Sequence, residues 1–151
     1  MYMNHIDKAN LLFEQKYHCS QAVLGAFAEE LGITEKQALK LGACFGGGMC
    51  IGEVCGAVTG GLMALGLKYG ESEIADLVSR KKANDVAVEM LERFKSENGS
   101  YICRDLLGYD IFDQEDIKII IEKELFTNFC PKMVESATRI VEKLMNDDET
   151  L

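Results

Sequence analysis

Apolar residues recur at three- and four-residue spacing along nearly the whole chain, and almost nowhere do they alternate. That is the signature of helices rather than half-buried strands. Ile6, Ala9, Leu12 and Phe13 mark a first helix. Cys19-Ser20-Gln21 opens a second over Ala22 to Leu31, with Ala22, Val23, Phe27 and Leu31 on one side and Gly32 as its stop. Thr34 with Gln37 three residues on reads as a capping box for a third, running to about Cys44 and ending in Gly46-Gly47-Gly48. Cys55 to Lys68 reads as a central helix of small residues closed by Gly70. Ser72 is the expected cap of a long helix from Glu73 to Lys95, stopping at Asn98-Gly99. Tyr101 to Asp110 is a connector with a short helical turn. Asp113 caps a helix from Gln114 to Phe126. The last helix starts at Cys130-Pro131, since proline suits a first helical position. Its apolar face is Val134, Ala137, Ile140, Val141 and Leu144.

The expectation is an all-α, single-domain bundle around a Gly/Ala-rich central helix. The 151 residues make one domain by the usual prior of about 100–200 residues. A composition of 48% hydrophobic and 27% charged residues is that of an ordinary globular protein. The net charge of −9 sits almost wholly in residues 71–151, which carry −8 of it. Acidic surfaces repel phosphate backbones and anionic lipid, so neither nucleic acid nor a membrane is an expected partner. Arg80-Lys81-Lys82 is too short a basic run to change this. From Leu41 to Leu67 the one charge is Glu53, yet nine glycines interrupt the stretch. Irregular backbone is not tolerated in lipid, so it reads as a buried loop and helix. Met1 to His5 lacks the charged start and apolar run of a secretory signal. A cytoplasmic location follows as an expectation, with a redox protein as partner and a homodimer admitted.

Six cysteines change the picture: Cys19, Cys44, Cys50, Cys55, Cys103 and Cys130. A reducing compartment gives structural disulfides little use, which leaves metal binding, redox chemistry or core packing. Cys19, Cys55, Cys103 and Cys130 each fall at an expected helix N-terminus. Free N–H groups and the positive dipole end stabilise thiolates there. Both metal ligation and redox attack need the thiolate.

These residues carry a resemblance. Tyr17-His18-Cys19-Ser20-Gln21-Ala22-Val23, Phe45-Gly46-Gly47-Gly48-Met49 and Gly52-Glu53-Val54-Cys55-Gly56-Ala57-Val58-Thr59-Gly60-Gly61, followed by single Cys103 and Cys130, resemble the redox-active C_GCAxxG_C_C family. The likeness runs from Tyr17 to Cys130. The family label writes Gly before Cys, whereas here Val54 precedes Cys55 and Gly56 follows it. A similar four-cysteine domain in split-Soret cytochrome c accompanies an iron–sulfur centre. The resemblance therefore implies Cys19, Cys55, Cys103 and Cys130 as ligands of a cluster, most simply [2Fe–2S], used for electron transfer or redox sensing. It assigns nothing to Cys44 and Cys50.

Other readings stand beside it. A metal-free thiol–disulfide switch would use Cys55 or Cys130 as the attacking thiolate, though no C-x-x-C pair is present. Structural zinc suits four cysteines, without the familiar close pairs. The plainest alternative makes the cysteines small buried hydrophobes. Tight helix packing is the plain account of the four-residue spacings Gly42–Gly46 and Gly56–Gly60. His18 reads as a capping or solvated group before a ligand or base, and Glu53 as a cap before a proton relay. Arg104 is either an offset to cluster charge or a surface ion pair. Gly46-Gly47-Gly48 lacks the Lys-Ser/Thr of a phosphate loop. No enzyme activity is named by any of this.

Overall fold

A computed structural model describes residues 3–147. Met1 and Tyr2, part of the stretch read for a signal, lie outside it, as do residues 148–151. The described residues form nine α-helices: α1 His5–Glu14, α2 Cys19–Phe27, α3 Glu35–Gly42, α4 Gly56–Tyr69, α5 Leu77–Asn98, α6 Cys103–Leu107, α7 Gln114–Glu122, α8 Leu125–Asn128 and α9 Cys130–Asp147. No strand occurs among them; Val54 and Ile102 alone form an antiparallel bridge.

The central helix is α4, with Gly56 to Gly61, Ala64, Leu65 and Tyr69 buried. Its small residues let helices close on two sides. A Cβ at Gly60 would lie 2.5 Å from the Ser20 carbonyl oxygen, so α2 lies directly on that face. A Cβ at Gly61 would lie 2.9 Å from Met90 Cε and from Val141 Cγ2, so α5 and α9 close on the other. Phe27, Phe94, Leu24, Leu65, Met90 and Ile140 fill the core between these helices. Burying each such side chain stabilises the fold by about 1.5–3 kcal/mol.

Several boundaries differ from the pattern. α2 ends at Phe27, and Ala28 to Gly32 continue only as turns, closed by Gly32 at φ +86°. The cap of α5 is Asp76, whose side chain accepts from the Ser79 N–H at 3.0 Å; Ser72 does not cap it. Ala75 sits at φ 59°, which unwinds the first turn expected at Glu73. The helix expected over Gln114 to Phe126 breaks at Glu124, φ 55°, into α7 and α8. The break turns Phe126 and Thr127 towards the cysteines. Cys130 is the first residue of α9 rather than its cap.

The capping box of α3 forms as read: the Gln37 N–H donates to Thr34 Oγ1 at 3.1 Å, and the Thr34 N–H to Gln37 Oε1 at 2.9 Å. Arg80 and Lys81 are exposed and pair with Glu71 and Asp85, as solvated helix faces do. No helix of the described residues is long and apolar enough to cross a membrane. Within Leu41 to Leu67 the chain is the end of α3, a glycine loop and most of α4.

Candidate functional site

Cys19, Cys55, Cys103 and Cys130 line one cavity, roofed by Leu106, Leu107, Phe129 and Met133. They arrive from four separate segments. Cys19 opens α2, Cys103 opens α6, Cys130 opens α9, and Cys55 is the residue before α4.

The glycines explain how Cys19 and Cys55 meet. The first turn of α2 is clamped between the end of α3 and the start of α4. Ser20 donates to the Gly42 carbonyl at 2.7 Å, and Gln21 Nε2 to the Leu39 carbonyl at 2.8 Å. A Cβ at Gly42 would meet the Gln21 backbone nitrogen at 3.0 Å, and one at Gly46 would occupy the His18 ring. A Cβ at Gly56 would lie 3.1 Å from the Ser20 nitrogen and 3.3 Å from Cys19 Sγ. The close approach falls after Cys55, which is why glycine follows the cysteine here.

Cys55 and Cys103 are brought together by the single bridge. The Cys55 N–H donates to the Tyr101 carbonyl at 2.8 Å, and the Cys103 N–H to the Glu53 carbonyl at 2.6 Å. Arg104 reinforces it, donating to the Ile51 carbonyl and to Glu53 Oε1, both at 2.8 Å. Glu53 is thus an ion-pair partner, and Cys55, not Glu53, occupies the cap position of α4. Arg104 is a half-exposed surface pair, and its side chain lies over Gly52. His18 is exposed at the N-cap of α2, its backbone N–H donating to Gln21 Oε1 at 2.8 Å.

The expectation of four activated thiolates is corrected in three cases. The Cys19 pKa is lowered to about 7. The Cys55 thiol donates to its sulfur, and the N–H groups of Cys19, Gly47 and Ala57 add to this against the cost of burial. Gly47 takes φ 63°, a backbone that glycine permits, and its N–H is one of the groups that lower the Cys19 thiol. Cys55 is held well above the usual thiol value, because it gives its hydrogen bond to Cys19 and is buried. Burial pushes Cys103 up to about 11 and Cys130 up to about 12, with the nearby Cys19 charge adding to both. A helix N-terminus alone does not offset burial at these two positions. The structure therefore makes Cys19 the thiolate of the set, rather than Cys55 or Cys130.

Four thiols are suitable donors for iron–sulfur or zinc. The space between them is about 20 Å³, room for roughly one water. Among the described residues no three His, Cys, Asp or Glu side chains are grouped to hold one metal ion. A two-iron, two-sulfide core does not fit without the four segments moving apart.

On the outer side Cys19, Cys103 and Cys130 also line an open pocket of about 550 Å³. Its walls are largely apolar and aromatic, with Phe13, Tyr17, Leu107, Ile111 and Phe126 among them. Cys50 joins this wall. It is exposed, at φ 60°, with its sulfur 3.9 Å from the Cys44 carbonyl. The pocket is not evident in the sequence; the aromatic residues at 13 and 17, just ahead of Cys19, are its one local sign.

A family model described as "Putative redox-active protein (C_GCAxxG_C_C)" matches residues 17–144, which contain all four chamber cysteines and the glycine block. No curated protein and no solved structure matches the chain. The chain belongs to the C_GCAxxG_C_C family.

Proposed function

We propose that the four-cysteine chamber is a two-electron dithiol–disulfide centre, with Cys19 as the reacting thiolate and Cys55 as its resolving partner. The placement of Cys19 and Cys55 on one small cavity, where Cys55 favours the Cys19 thiolate, carries this reading. The neighbouring Cys55 thiol stabilises the charge on the more accessible Cys19 sulfur. Cys19 faces both the outer pocket and the inner cavity, whereas Cys55 is buried behind it. Attack from an open position and resolution from a closed one is how thiol exchange proceeds. On oxidation the sulfurs give up two electrons, and the Cys55 thiol its one proton, as the S–S bond forms. Electrons exchanged with a redox protein, in a reducing cytoplasm that keeps the other thiols free, complete the proposal.

Counting free thiols in metal-free protein tests it. Mild oxidation is expected to remove two thiols from the wild type and to yield a Cys19–Cys55 disulfide in peptide mass mapping. Cys19→Ser and Cys55→Ser are expected to lose that pair. An unchanged thiol count, or a disulfide elsewhere, would overturn the assignment.

The convergence of four thiols from four segments favours a second reading, an iron–sulfur centre such as [2Fe–2S], or zinc, held by Cys19, Cys55, Cys103 and Cys130. A two-iron core requires the four segments to move apart around it. Iron and acid-labile sulfide in protein purified without air would support the cluster, and one equivalent of zinc the structural site.

A further inference from the structure

We propose that the outer pocket binds a neutral quinone, which serves as the small-molecule electron acceptor of the Cys19–Cys55 couple; this rests on the dithiol reading above. At about 550 Å³ the pocket falls within the range of small-molecule sites. Its walls offer ring faces and aliphatic edges from Phe13, Tyr17, Leu107, Ile111, Phe112 and Phe126, the lining a flat aromatic molecule requires. The polar groups there are few: Glu14, Lys16, the Tyr17 hydroxyl, His18 and Thr127. One acid and one base at a mouth cancel, and the chain carries −9 overall. Nothing gathers positive charge for a phosphate or a carboxylate, so nucleotides and anionic disulfides are poor occupants. A neutral acceptor avoids that penalty, and its carbonyl oxygens can accept from Lys16, His18 or Thr127.

The position of the sulfurs selects a redox-active occupant over an inert one. Cys19 forms part of the partition between the pocket and the inner cavity, lining both. Cys55 lines the inner cavity behind it. A quinone against Cys19 takes two electrons and two protons and leaves as the hydroquinone. Both electrons come from the sulfurs as the Cys19–Cys55 bond forms. One proton comes from the Cys55 thiol, and the other from the Cys19 thiol or, where Cys19 is already thiolate, from solvent. Atoms and charge balance with the quinone as the one co-reactant.

The test uses reduced full-length protein without air and duroquinone, whose fully substituted ring offers no free position for thiol addition. Wild type is expected to convert one equivalent of duroquinone while losing two thiols. Phe112→Glu places a charge in the wall, and Thr127→Trp fills the space. Both positions are exposed, and helix content by circular dichroism checks each fold. Each variant is expected to slow duroquinone reduction at least tenfold. Equal rates in wild type and both variants would place the reaction outside the pocket and overturn the inference. Wild-type protein that loses two thiols to hydrogen peroxide but does not reduce duroquinone would overturn it too, leaving the dithiol reading intact. If peroxide removes no pair of thiols, the dithiol reading fails and the quinone inference fails with it.

Discussion

Val54 pairs with Ile102 across the fold, and that single antiparallel bridge sets Cys55 beside Cys103. Its two hydrogen bonds, Cys55 N–H to Tyr101 O and Cys103 N–H to Glu53 O, involve the cysteines' own amides. The thiols are thereby registered by backbone rather than by side-chain packing. Arg104 fastens the same crossing to the glycine loop through Ile51 and Glu53.

Arg104→Ala tests that fastening. The ion pair is half exposed, with side-chain exposures of 42% and 39%, so its loss should cost under about 1 kcal/mol of stability. Cys103 should nonetheless become less reactive, because burial already raises its thiol and the nearby arginine charge that works against this is lost. Thermal melting and the alkylation rate of Cys103 measure the two effects. A large stability loss with Cys103 unchanged would show that the arginine supports the core instead of the site.

Cys19 should dominate alkylation of the reduced protein near neutral pH. Its rate should rise through a midpoint of about pH 7, well below the ordinary thiol value of 9.0. Cys55→Ala removes the leading cause and should move that midpoint upwards. The same shift has a stability sign. A thiol with a lowered folded value stabilises the fold fully above pH 9, and that contribution is lost as pH falls through 7. Cys103 and Cys130, raised to about 11 and about 12, act oppositely. Their contribution is complete below pH 9 and is lost as pH rises through those values. The net thiol contribution should therefore peak near pH 9. Alkylation profiles and denaturant melts across pH 6–11 read both limbs, and a flat Cys19 profile around pH 7 would refute the hydrogen-bonded pair.

Two glycines of α4 separate close approach from helix propensity. At Gly60 an added methyl would meet the Ser20 carbonyl at 2.5 Å, a backbone atom that cannot swing aside. Gly60→Ala should cost about 1–3 kcal/mol through overpacking and should disturb Cys19, which adjoins Ser20. At Gly66 nothing lies within 4 Å and the residue is exposed. Gly66→Ala should stabilise by roughly 0.5–1 kcal/mol, because alanine lowers the entropy cost of the helix. Chemical denaturation of the pair decides it; the same sign for both would mean that α2 does not lie on the Gly60 face.

The periodicity of the chain makes the bundle and its small-residue central helix legible, because Gly and Ala at four-residue spacing leave a strip on which other helices close and the caps at Thr34, Asp113 and Gly99 are local devices. The convergence of the cysteines was less so. Helix starts could be placed, but the Val54–Ile102 bridge is a contact between distant segments with no strand pattern to announce it. Helix position overstates the activation of the thiols for a physical reason. Cys103 and Cys130 do open helices, yet their burial outweighs the helix end. The pocket depends on the break at Glu124, a left-handed turn at a residue that gives no sequence signal for one.

The dithiol and metal readings divide the four cysteines differently, and single substitutions exploit this. In a dithiol couple Cys19 and Cys55 react, while Cys103 and Cys130 shape the cavity. Cys103→Ser and Cys130→Ser should then still form the Cys19–Cys55 disulfide under mild oxidation. In a four-thiolate metal site the set acts as a unit, so each of the four substitutions should abolish stoichiometric iron or zinc in protein prepared without air. Thiol counts, iron, sulfide and zinc measured on all four variants give the pattern. Disulfide formation surviving only in the Cys103 and Cys130 variants supports the couple, whereas metal lost equally in all four supports the centre. The raised thiols sharpen the contrast. Cys103 and Cys130 must shed protons to bind metal, so metal uptake should release protons and strengthen with rising pH. The dithiol couple needs no proton loss from either of them.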